Sequence, residues 1–212
     1  MTRVLHILDH SLPLHSGYTF RTRAILKSLQ GAGVEVRGIS GQRHFAEGPP
    51  VEEVEGLTFH RTPGQPSGPP VWREWRPDII HAHSPALCGM AGLRAARRLR
   101  LPFVYEIRAF WEDAAVGNGT GRAGSLKYRL TRALENRVVA QADAVFTICA
   151  GLRGDLVARG HDGGKIELAP NGVDLTLFGD PPPRDAGLAE TLGIGPGPVI
   201  GFIGSFYDYE GL

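Results

Sequence analysis

Residues 77–84 read PDIIHAHS, a short apolar run that follows a proline and ends in polar residues. Runs of this kind are typical of strands buried in a parallel sheet. The pattern recurs at residues 4–10 (VLHILDH), 103–108 (FVYEIR) and 144–148 (AVFTI), with helix-like stretches between them, while residues 51–61 resemble a small hairpin. Alternating strands and helices predict an α/β fold, namely a Rossmann-like parallel sheet with helices on both faces.

Polar side chains gather where these predicted strands end. Asp9 and His10 follow the first run, His83 and Ser84 end the run at 77–84, and residues 108–113 follow a third. In parallel sheets of this class, ligands bind outside the carboxyl ends of the strands. The sequence therefore predicts a binding site along this one edge of the sheet.

The composition is that of an ordinary globular protein, with 42% hydrophobic and 21% charged residues in a chain of 212. A formal net charge of +1 gives no reason to expect nucleic acid as a partner. No signal peptide is evident, and no segment approaches the ~18 apolar residues of a membrane span, so a cytoplasmic location with optional peripheral membrane contact is expected. The two cysteines, Cys88 and Cys149, are predicted to be reduced thiols in the core.

The last part of the chain predicts a domain boundary. Residues 179–183 read GDPPP, which cannot continue a helix or a central strand and is typical of a linker. Residues 199–205 read VIGFIGS, which predicts a buried strand followed by a turn. A lone buried strand lacks partners, so we expect it to open a truncated second domain. The predicted organisation is a domain at 1–178, a linker at 179–198 and the first strand of a further domain at 199–212.

Several stretches, in this order along the chain, resemble glycosyltransferase family 4. They are residues 77–83, residues 137–148, the PNGVD motif at 170–174 and the GFIG stretch at 201–204. Members of that family have a GT-B fold, in which two Rossmann-like domains face each other across a cleft. The resemblance implies that this chain is the N-terminal, acceptor-side half of such an enzyme. Residues 75–89 are similar to members associated with PEP-CTERM and exosortase gene systems, and residues 105–113 resemble a branch of the family found in bacterial exopolysaccharide loci.

The resemblance implies a retaining transferase that moves a sugar from a nucleotide-diphosphate sugar to an exopolysaccharide or lipid-linked saccharide. The nucleotide sugar is then a donor substrate, and neither a cofactor nor a metal is implied. Without its donor domain the chain alone is expected to be inactive. The alternative is a non-catalytic module that binds a sugar or nucleotide. An unrelated oxidoreductase is disfavoured because the sequence lacks the Gly-x-Gly-x-x-Gly fingerprint of a nicotinamide dinucleotide site.

The strand-end positions and the resemblance together give the candidate site residues. The predicted catalytic residues are Arg108, Glu112 and Asp113. The predicted substrate-binding residues lie in the loop before the first helix, at strand ends, in the interdomain motif and in the last turn: Ser16, Gly17, Tyr18, His83, Ser84, Trp111, Asn171, Gly172, Asp174, Gly204 and Ser205.

Most of these assignments have a structural alternative. The loop at Gly17 also fits a plain strand-to-helix turn, and His83 fits a structural histidine. Arg108 and the carboxylates after it fit an internal ion pair that holds their loop, and Trp111 fits a core anchor. His81 is predicted to be a core residue, and the two histidines of this strand lack the nearby carboxylate that would complete a metal site.

Two further features of the sequence bear on function. Arg108 stands where many family members have a histidine, so the role of that histidine is not carried over to this chain. A basic group around the predicted helix at 125–140 fits either a solvated face or contact with anionic lipid headgroups. Its members are Arg122, Lys127, Arg129, Arg132 and Arg137.

Overall fold

The computed structural model describes residues 1–41, 43–62, 74–176 and 178–204. The chain divides into two compact units, Met1–Pro170 and Asn171–Leu212. Each unit is described by itself.

Among the residues that the structure describes, the first unit is built on one sheet of eight strands. In chain order they are β1 (Arg3–Leu8), β2 (Glu35–Ser40), β3 (Val51–Val54), β4 (Leu57–Arg61), β5 (Ile79–His83), β6 (Phe103–Ile107), β7 (Ala144–Thr147) and β8 (Ile166–Leu168). Their spatial order is β3-β4-β2-β1-β5-β6-β7-β8. All neighbouring strands pair in parallel except β3 and β4, whose antiparallel pairing confirms the predicted hairpin. The predicted α/β class is confirmed.

Six α-helices have bounds within the described residues. They are α1 (Gly17–Gly31), α2 (Ala86–Leu99), α3 (Trp111–Gly117), α4 (Leu126–Gln141), α5 (Ala150–Ala158) and, in the second unit, α6 (Ala186–Thr191). Ser16 and Ser125 cap α1 and α4, since each side-chain oxygen accepts a backbone N–H of the first turn. Among the described residues, no helix has the length and apolar character needed to span a membrane.

Strand alternation separates the core into two apolar clusters on opposite faces of the sheet. Leu26 of α1 packs with Val4 and Leu8 on one face, whereas Leu93 of α2 and Val138 of α4 pack on the other. On β5 and β6, the apolar face carries Ile80, Ala82, Phe103, Tyr105 and Ile107. The opposite face of these two strands, below α1, carries charged and polar groups, and this asymmetry locates the candidate site.

Two glycines let α2 lie close against the sheet. A Cβ placed on Gly92 would stand 2.8 Å from the Cβ of Ala82 and 2.9 Å from the ring of Phe103. A Cβ on Gly89 would stand 2.7 Å from Val138 and 2.8 Å from Tyr105. Such distances are below van der Waals contact, so α2 cannot keep this position with larger residues at either place.

Two expectations differ from the structure. Cys88 is buried as predicted, but Cys149 is exposed because it lies at the N-terminus of α5, outside the sheet. Residues 199–204 form no strand, and the side chains of Ile200 and Ile203 are fully exposed. A parallel strand requires a neighbouring strand to share its hydrogen bonds, and none of the eight described strands pairs with this segment in the sheet. Ser205 lies outside the described residues.

Candidate functional site

Glu106 is the centre of a buried charged group between the sheet and α1. It follows the apolar face residue Tyr105 on β6 and is only 1% exposed. Its Oε1 accepts hydrogen bonds from Arg21 Nε on α1 at 2.9 Å and from Arg108 Nε at 2.8 Å. A buried carboxylate is tolerated when it is paired in this way. Glu106 therefore joins α1 to the end of β6.

Arg108 makes several contacts that fix the first turn of α1. Its guanidinium donates to the carbonyl of Tyr18 at 2.8 Å and to the hydroxyl of Thr22 at 3.0 Å, and lies 4.2 Å from the centroid of the Tyr18 ring. Its backbone N–H donates to Ser84 Oγ at 3.2 Å. The structure thus brings together Tyr18, Ser84 and Arg108, three residues that the sequence analysis had placed at the site.

Three histidines on β1 and β5 lie beside this carboxylate. The ring of His83 stacks on that of His81, with centroids 4.4 Å apart, and His6 Nδ1 lies 2.9 Å from His83 Nε2. Arg108 Nη2 lies 2.7 Å from His83 Nδ1. His83 Nδ1 is also 3.5 Å from Glu106 Oε2. The guanidinium of Arg108 is closer to Nδ1 and can only donate, so Nδ1 is the acceptor of that hydrogen bond.

These contacts determine the tautomers. His83 accepts from Arg108 at Nδ1, carries its proton on Nε2 and donates it to His6 Nδ1. The proton of His6 then sits on Nε2, which has no partner among the described residues. His81, predicted to be a core residue, is indeed buried on the same face as His83.

Burial keeps the three histidines neutral. Burial, and to a smaller extent the charge of Arg108, lowers the pKa of His83 against the opposing effect of Glu106. Burial likewise lowers the pKa of His6, and it brings the pKa of His81 to about 3. Burial alone would raise the pKa of Glu106, but its neighbours hold it well below the usual range. Because the histidines are neutral at pH 7, the positive charges that contact Glu106 there are those of Arg21 and Arg108.

His6, His81 and His83 each offer a ring nitrogen within 4.8 Å of the others, a spacing that three metal ligands can have. However, both ring nitrogens of His83 already take part in hydrogen bonds, one of them from the guanidinium of Arg108 at 2.7 Å. A cation beside that permanent positive charge would be repelled. The histidines therefore do not fit a metal ion without rearrangement of the network.

The loop before α1 forms a second polar group, at the carboxyl end of β1. His10 lies between Asp9, 3.2 Å from its Nδ1, and Ser16 Oγ, 2.7 Å from its Nε2, and it stacks on Tyr18. Ser16 Oγ also accepts the backbone N–H of Thr19 at 3.1 Å. Gly17 has open space around the position of a Cβ. A ligand can therefore approach the first turn of α1 closely.

The residues after Arg108 take other partners than predicted. Glu112 is 2% exposed and pairs at 2.9 Å with Arg159, the C-cap residue of α5, and Asp113 accepts a hydrogen bond from the Tyr128 hydroxyl at 2.7 Å. Arg108 instead turns back to Glu106. The predicted group of one arginine and two carboxylates is thus separated into two ion pairs, and Glu112 serves to hold α3 against α5.

Trp111 lies at the wall of a cavity of about 360 Å³ rather than in the core. The side chain is 40% exposed, and the cavity is shared by residues at the starts of α2, α3 and α4. Leu87, Trp111 and Leu134 supply apolar wall, while Arg122 and Tyr128 supply polar groups. An apolar wall with a few polar groups suits a ligand such as a sugar ring.

The first unit ends at a position fixed by Arg21. Its guanidinium donates to the carbonyl oxygens of Ala169 at 2.6 Å and Pro170 at 3.1 Å, while its Nε binds Glu106. The predicted motif residues Asn171, Gly172 and Asp174 begin the second unit, where Asp174 Oδ1 accepts the backbone N–H of Thr176 at 2.9 Å. Gly204 also belongs to the second unit.

A model of the glycosyl transferase 4-like domain matches residues 16–172. This range contains the site residues of the first unit described above, except those on β1 and in the loop before Ser16. The chain belongs to the glycosyl transferase 4-like family. The expected family membership is therefore confirmed. Within this glycosyl transferase 4-like domain, the charged group around Glu106 and the cavity at Trp111 lie at the same carboxyl edge of the sheet.

Relatives of this glycosyl transferase 4-like chain include a GDP-mannose-dependent alpha-mannosyltransferase of Mycolicibacterium smegmatis, which is 30% identical over 217 residues. A protein of the same name from Mycobacterium tuberculosis is 28% identical over 219 residues. The alignments cover 95% of this chain in both cases but only 56% and 55% of the relatives. The chain thus spans about half the length of the curated relatives it matches.

Solved structures support the fold. Sucrose-phosphate synthase from Thermosynechococcus elongatus superposes with a TM-score of 0.63 at 14% identity, over 92% of this chain and 53% of that one. Anabaena HepE, solved with UDP and glucose, superposes with a TM-score of 0.60 at 18% identity, over 91% and 50%. Identities this low show the fold alone. The glycosyl transferase 4-like chain has the fold of one Rossmann-like half of these GT-B proteins.

Sequence reasoning placed His10 at this edge of the sheet but missed Glu106, Arg21 and His6 as members of the site. Two of them could have been found, because Glu106 and His6 interrupt otherwise apolar strands and a buried polar side chain needs a partner. Nothing local in the sequence distinguishes Arg21 from other basic residues of an exposed helix face. Its role comes from the position of α1 over β6.

Proposed function

We propose that this chain is the acceptor-side half of a retaining glycosyltransferase that takes a sugar from a nucleotide-diphosphate donor. The acceptor in this proposal is an exopolysaccharide or a lipid-linked saccharide. A second, donor-binding domain is proposed to begin after the linker at 179–198. The 212-residue chain alone is then expected to give no turnover, since the diphosphate would lack half of its binding site.

The observation that carries the proposal is the first turn of α1, held at the carboxyl edge of the sheet by Arg108. Helix N-termini present unpaired backbone N–H groups and a partial positive charge. The side-chain and backbone oxygens of Ser16 accept the backbone N–H groups of Thr19 and Phe20, respectively. The N–H groups of Gly17 and Tyr18 are then left for a ligand. This arrangement suits the oxygens of a departing diphosphate.

The carboxylates at this edge favour a reaction without a protein nucleophile. Glu106 and Glu112 are both buried and both paired with arginine. A nucleophilic carboxylate would have to reach the anomeric carbon, and these two cannot do so from their ion pairs. Catalysis in the proposal therefore rests on positioning and on electrostatic stabilisation of the leaving diphosphate.

Arg108 has a positioning role in this proposal. It is engaged with Glu106, Tyr18 and His83, and it sets the direction in which the first turn of α1 points. Asp113 is the one predicted catalytic carboxylate whose side chain is half exposed, at 53%. We propose that it orients an acceptor hydroxyl, together with Tyr128, which donates to it at 2.7 Å.

The cavity at Trp111 is proposed to receive the acceptor. The half-exposed indole can stack on the apolar face of a sugar ring, and Arg122 and Tyr128 can bind its hydroxyl groups. When the acceptor is lipid-linked, peripheral contact with a membrane surface belongs to the proposal. A cytoplasmic location fits the use of nucleotide sugars.

The donor to test first is GDP-mannose, because two relatives are named as GDP-mannose-dependent. UDP-glucose is the second, because HepE has been solved with UDP-glucose. The experiment measures release of the nucleoside diphosphate by the native protein isolated from its source. We expect release from one donor in the presence of a source membrane or polysaccharide fraction, and none from the 212-residue chain.

The alternative function is a binding module without turnover. It predicts that the native protein binds a nucleotide sugar or saccharide in calorimetry but releases no diphosphate from any donor. Robust sugar transfer by the 212-residue chain would contradict both readings, because neither gives this chain a complete donor site.

A further inference from the structure

The exposed face of α4 carries an apolar stripe. Leu126, Leu130 and Leu134 are spaced by four residues and therefore lie on one side of the helix. Their exposed fractions are 73%, 56% and 39%. The opposite side of the same helix is buried through Glu135 and Val139, so the core does not need the leucines.

Basic residues border this stripe on both sides. At 100° per residue, Lys127 lies next to Leu134 on one flank and Arg129 lies on the other, while Arg132 lies beyond Arg129 at the edge of the exposed surface. All three cations are exposed, and none forms a hydrogen bond or ion pair with another described residue. Arg137 adds a fourth exposed cation at the end of the leucine stripe.

Negative charge is absent from the exposed face of this fully described helix. Its one acidic residue is Glu135, which is fully buried and accepts a hydrogen bond from the Tyr105 hydroxyl at 2.5 Å. A solvated helix face normally mixes both signs. An apolar stripe between rows of unpaired cations is instead the pattern of a helix that lies in a membrane interface.

We propose that the α4 face, defined by Leu126, Leu130 and Leu134 with Lys127, Arg129, Arg132 and Arg137, docks on the surface of an anionic phospholipid bilayer. The leucines enter the boundary between headgroups and acyl chains, and the cations bind lipid phosphates. The chain as a whole carries a net charge of only +1, so attraction to an anionic surface depends on this local arrangement.

Charge complementarity distinguishes the bilayer from a second copy of this chain. Two copies packed through their leucine stripes would bring the two sets of unpaired cations together, and like charges at such an interface oppose association. A neutral apolar partner would cover the leucines but leave the cations without a counter-charge. An anionic lipid surface satisfies both parts of the face.

The position of the face fits the proposed acceptor site. Lys127, Tyr128 and Leu134 of α4 also line the cavity at Trp111, so a bilayer under α4 would lie next to that cavity. A saccharide anchored to a lipid could then enter the cavity from the membrane side. This last step rests on the proposed function, whereas the docking of α4 does not, and vesicle binding is measured without any sugar transfer.

The test is co-sedimentation of the chain with vesicles of phosphatidylcholine alone or with an equal part of phosphatidylglycerol. We expect binding to the anionic vesicles only, weakened by salt. Replacing Lys127, Arg129 and Arg132 together with alanine should lower the partition coefficient about 100-fold, from roughly fivefold per cation. The matched control replaces Arg94, Arg97 and Arg98 of α2, which are equally exposed and change the net charge equally, and it should stay within about twofold.

A second variant tests the apolar part. Leu126→Ser with Leu130→Ser keeps every charge and removes the insertion, and it should also weaken binding about tenfold or more. Both positions are exposed, so circular dichroism should show an unchanged fold. The proposal is overturned if the wild-type chain stays in the supernatant with anionic vesicles, or if the α2 control loses as much binding as the α4 variant. Self-association that the serine variant abolishes would assign the face to a second copy instead.

Discussion

Replacing Glu106 by glutamine tests the centre of the charged group in the first unit. The substitution keeps the size and one oxygen acceptor but removes the negative charge. Arg21 and Arg108, whose side chains are only 12% and 10% exposed, then both lose the carboxylate that they share, and the neutral histidines beside them supply no replacement charge. Removing one partner of a buried ion pair typically costs about 3–5 kcal/mol.

This loss is large compared with the ~5–15 kcal/mol by which a domain is stable. Urea unfolding of the 212-residue chain, followed by circular dichroism, should show a midpoint lowered by about 1–3 M at typical denaturant slopes. The matched control is Glu55→Gln, which removes an acid whose side chain is 45% exposed from its pair with Arg23. That change should cost no more than about 1 kcal/mol.

A double variant separates the charge from the shape. Adding Arg21→Met to Glu106→Gln removes one of the two cations that bind Glu106, so the double variant should be less destabilised than the sum of the two single changes. If Glu106→Gln loses no more stability than Glu55→Gln, the carboxylate does not hold α1 to β6. Strictly additive costs would likewise contradict the coupling.

Two further predictions concern packing and pH. Gly92→Ala should destabilise the chain by about 1–3 kcal/mol because the added Cβ meets Ala82 and Phe103. The control is Gly154→Ala in α5, where a Cβ meets no other atom, and it should stabilise the chain by up to about 1 kcal/mol. Equal effects of the two changes in urea unfolding would refute the close packing of α2. Burial raises the pKa of Glu135 to about 7 from 4.5, so the folded state keeps a proton that the unfolded state releases, and this residue lowers stability as pH rises through that interval. Glu135→Gln should remove a penalty on the order of 3 kcal/mol at pH 8 and leave stability at pH 4 nearly unchanged; a variant whose pH profile parallels the wild type contradicts this.

Much of the fold could be predicted because strand and helix patterns are local. The apolar runs at 77–84 and 103–108 became β5 and β6, and the hairpin at 51–61 formed as expected. The segment at 199–204 shows the limit of that reasoning. Its side chains are typical of a buried strand, but a strand exists only when another backbone supplies hydrogen bonds.

The candidate site was predictable in position but not in pairing. Strand ends correctly indicated the edge that carries His83, Ser84 and Arg108. The partners of a long side chain depend on which helix lies above it, and this is set by tertiary packing. Glu112 therefore pairs with Arg159. Arg108 pairs with Glu106, which lies two residues before it in the sequence.

The proposal that this chain is half of a retaining sugar transferase is tested most directly by following the transferred sugar and its anomeric configuration. The native protein, supplied with an isotopically labelled nucleotide sugar and its source acceptor fraction, should produce a labelled glycoside. NMR of that product should show the same anomeric configuration as the donor. A product of inverted configuration would contradict the retaining mechanism, and the absence of any glycosidic product from all donors would contradict the transferase.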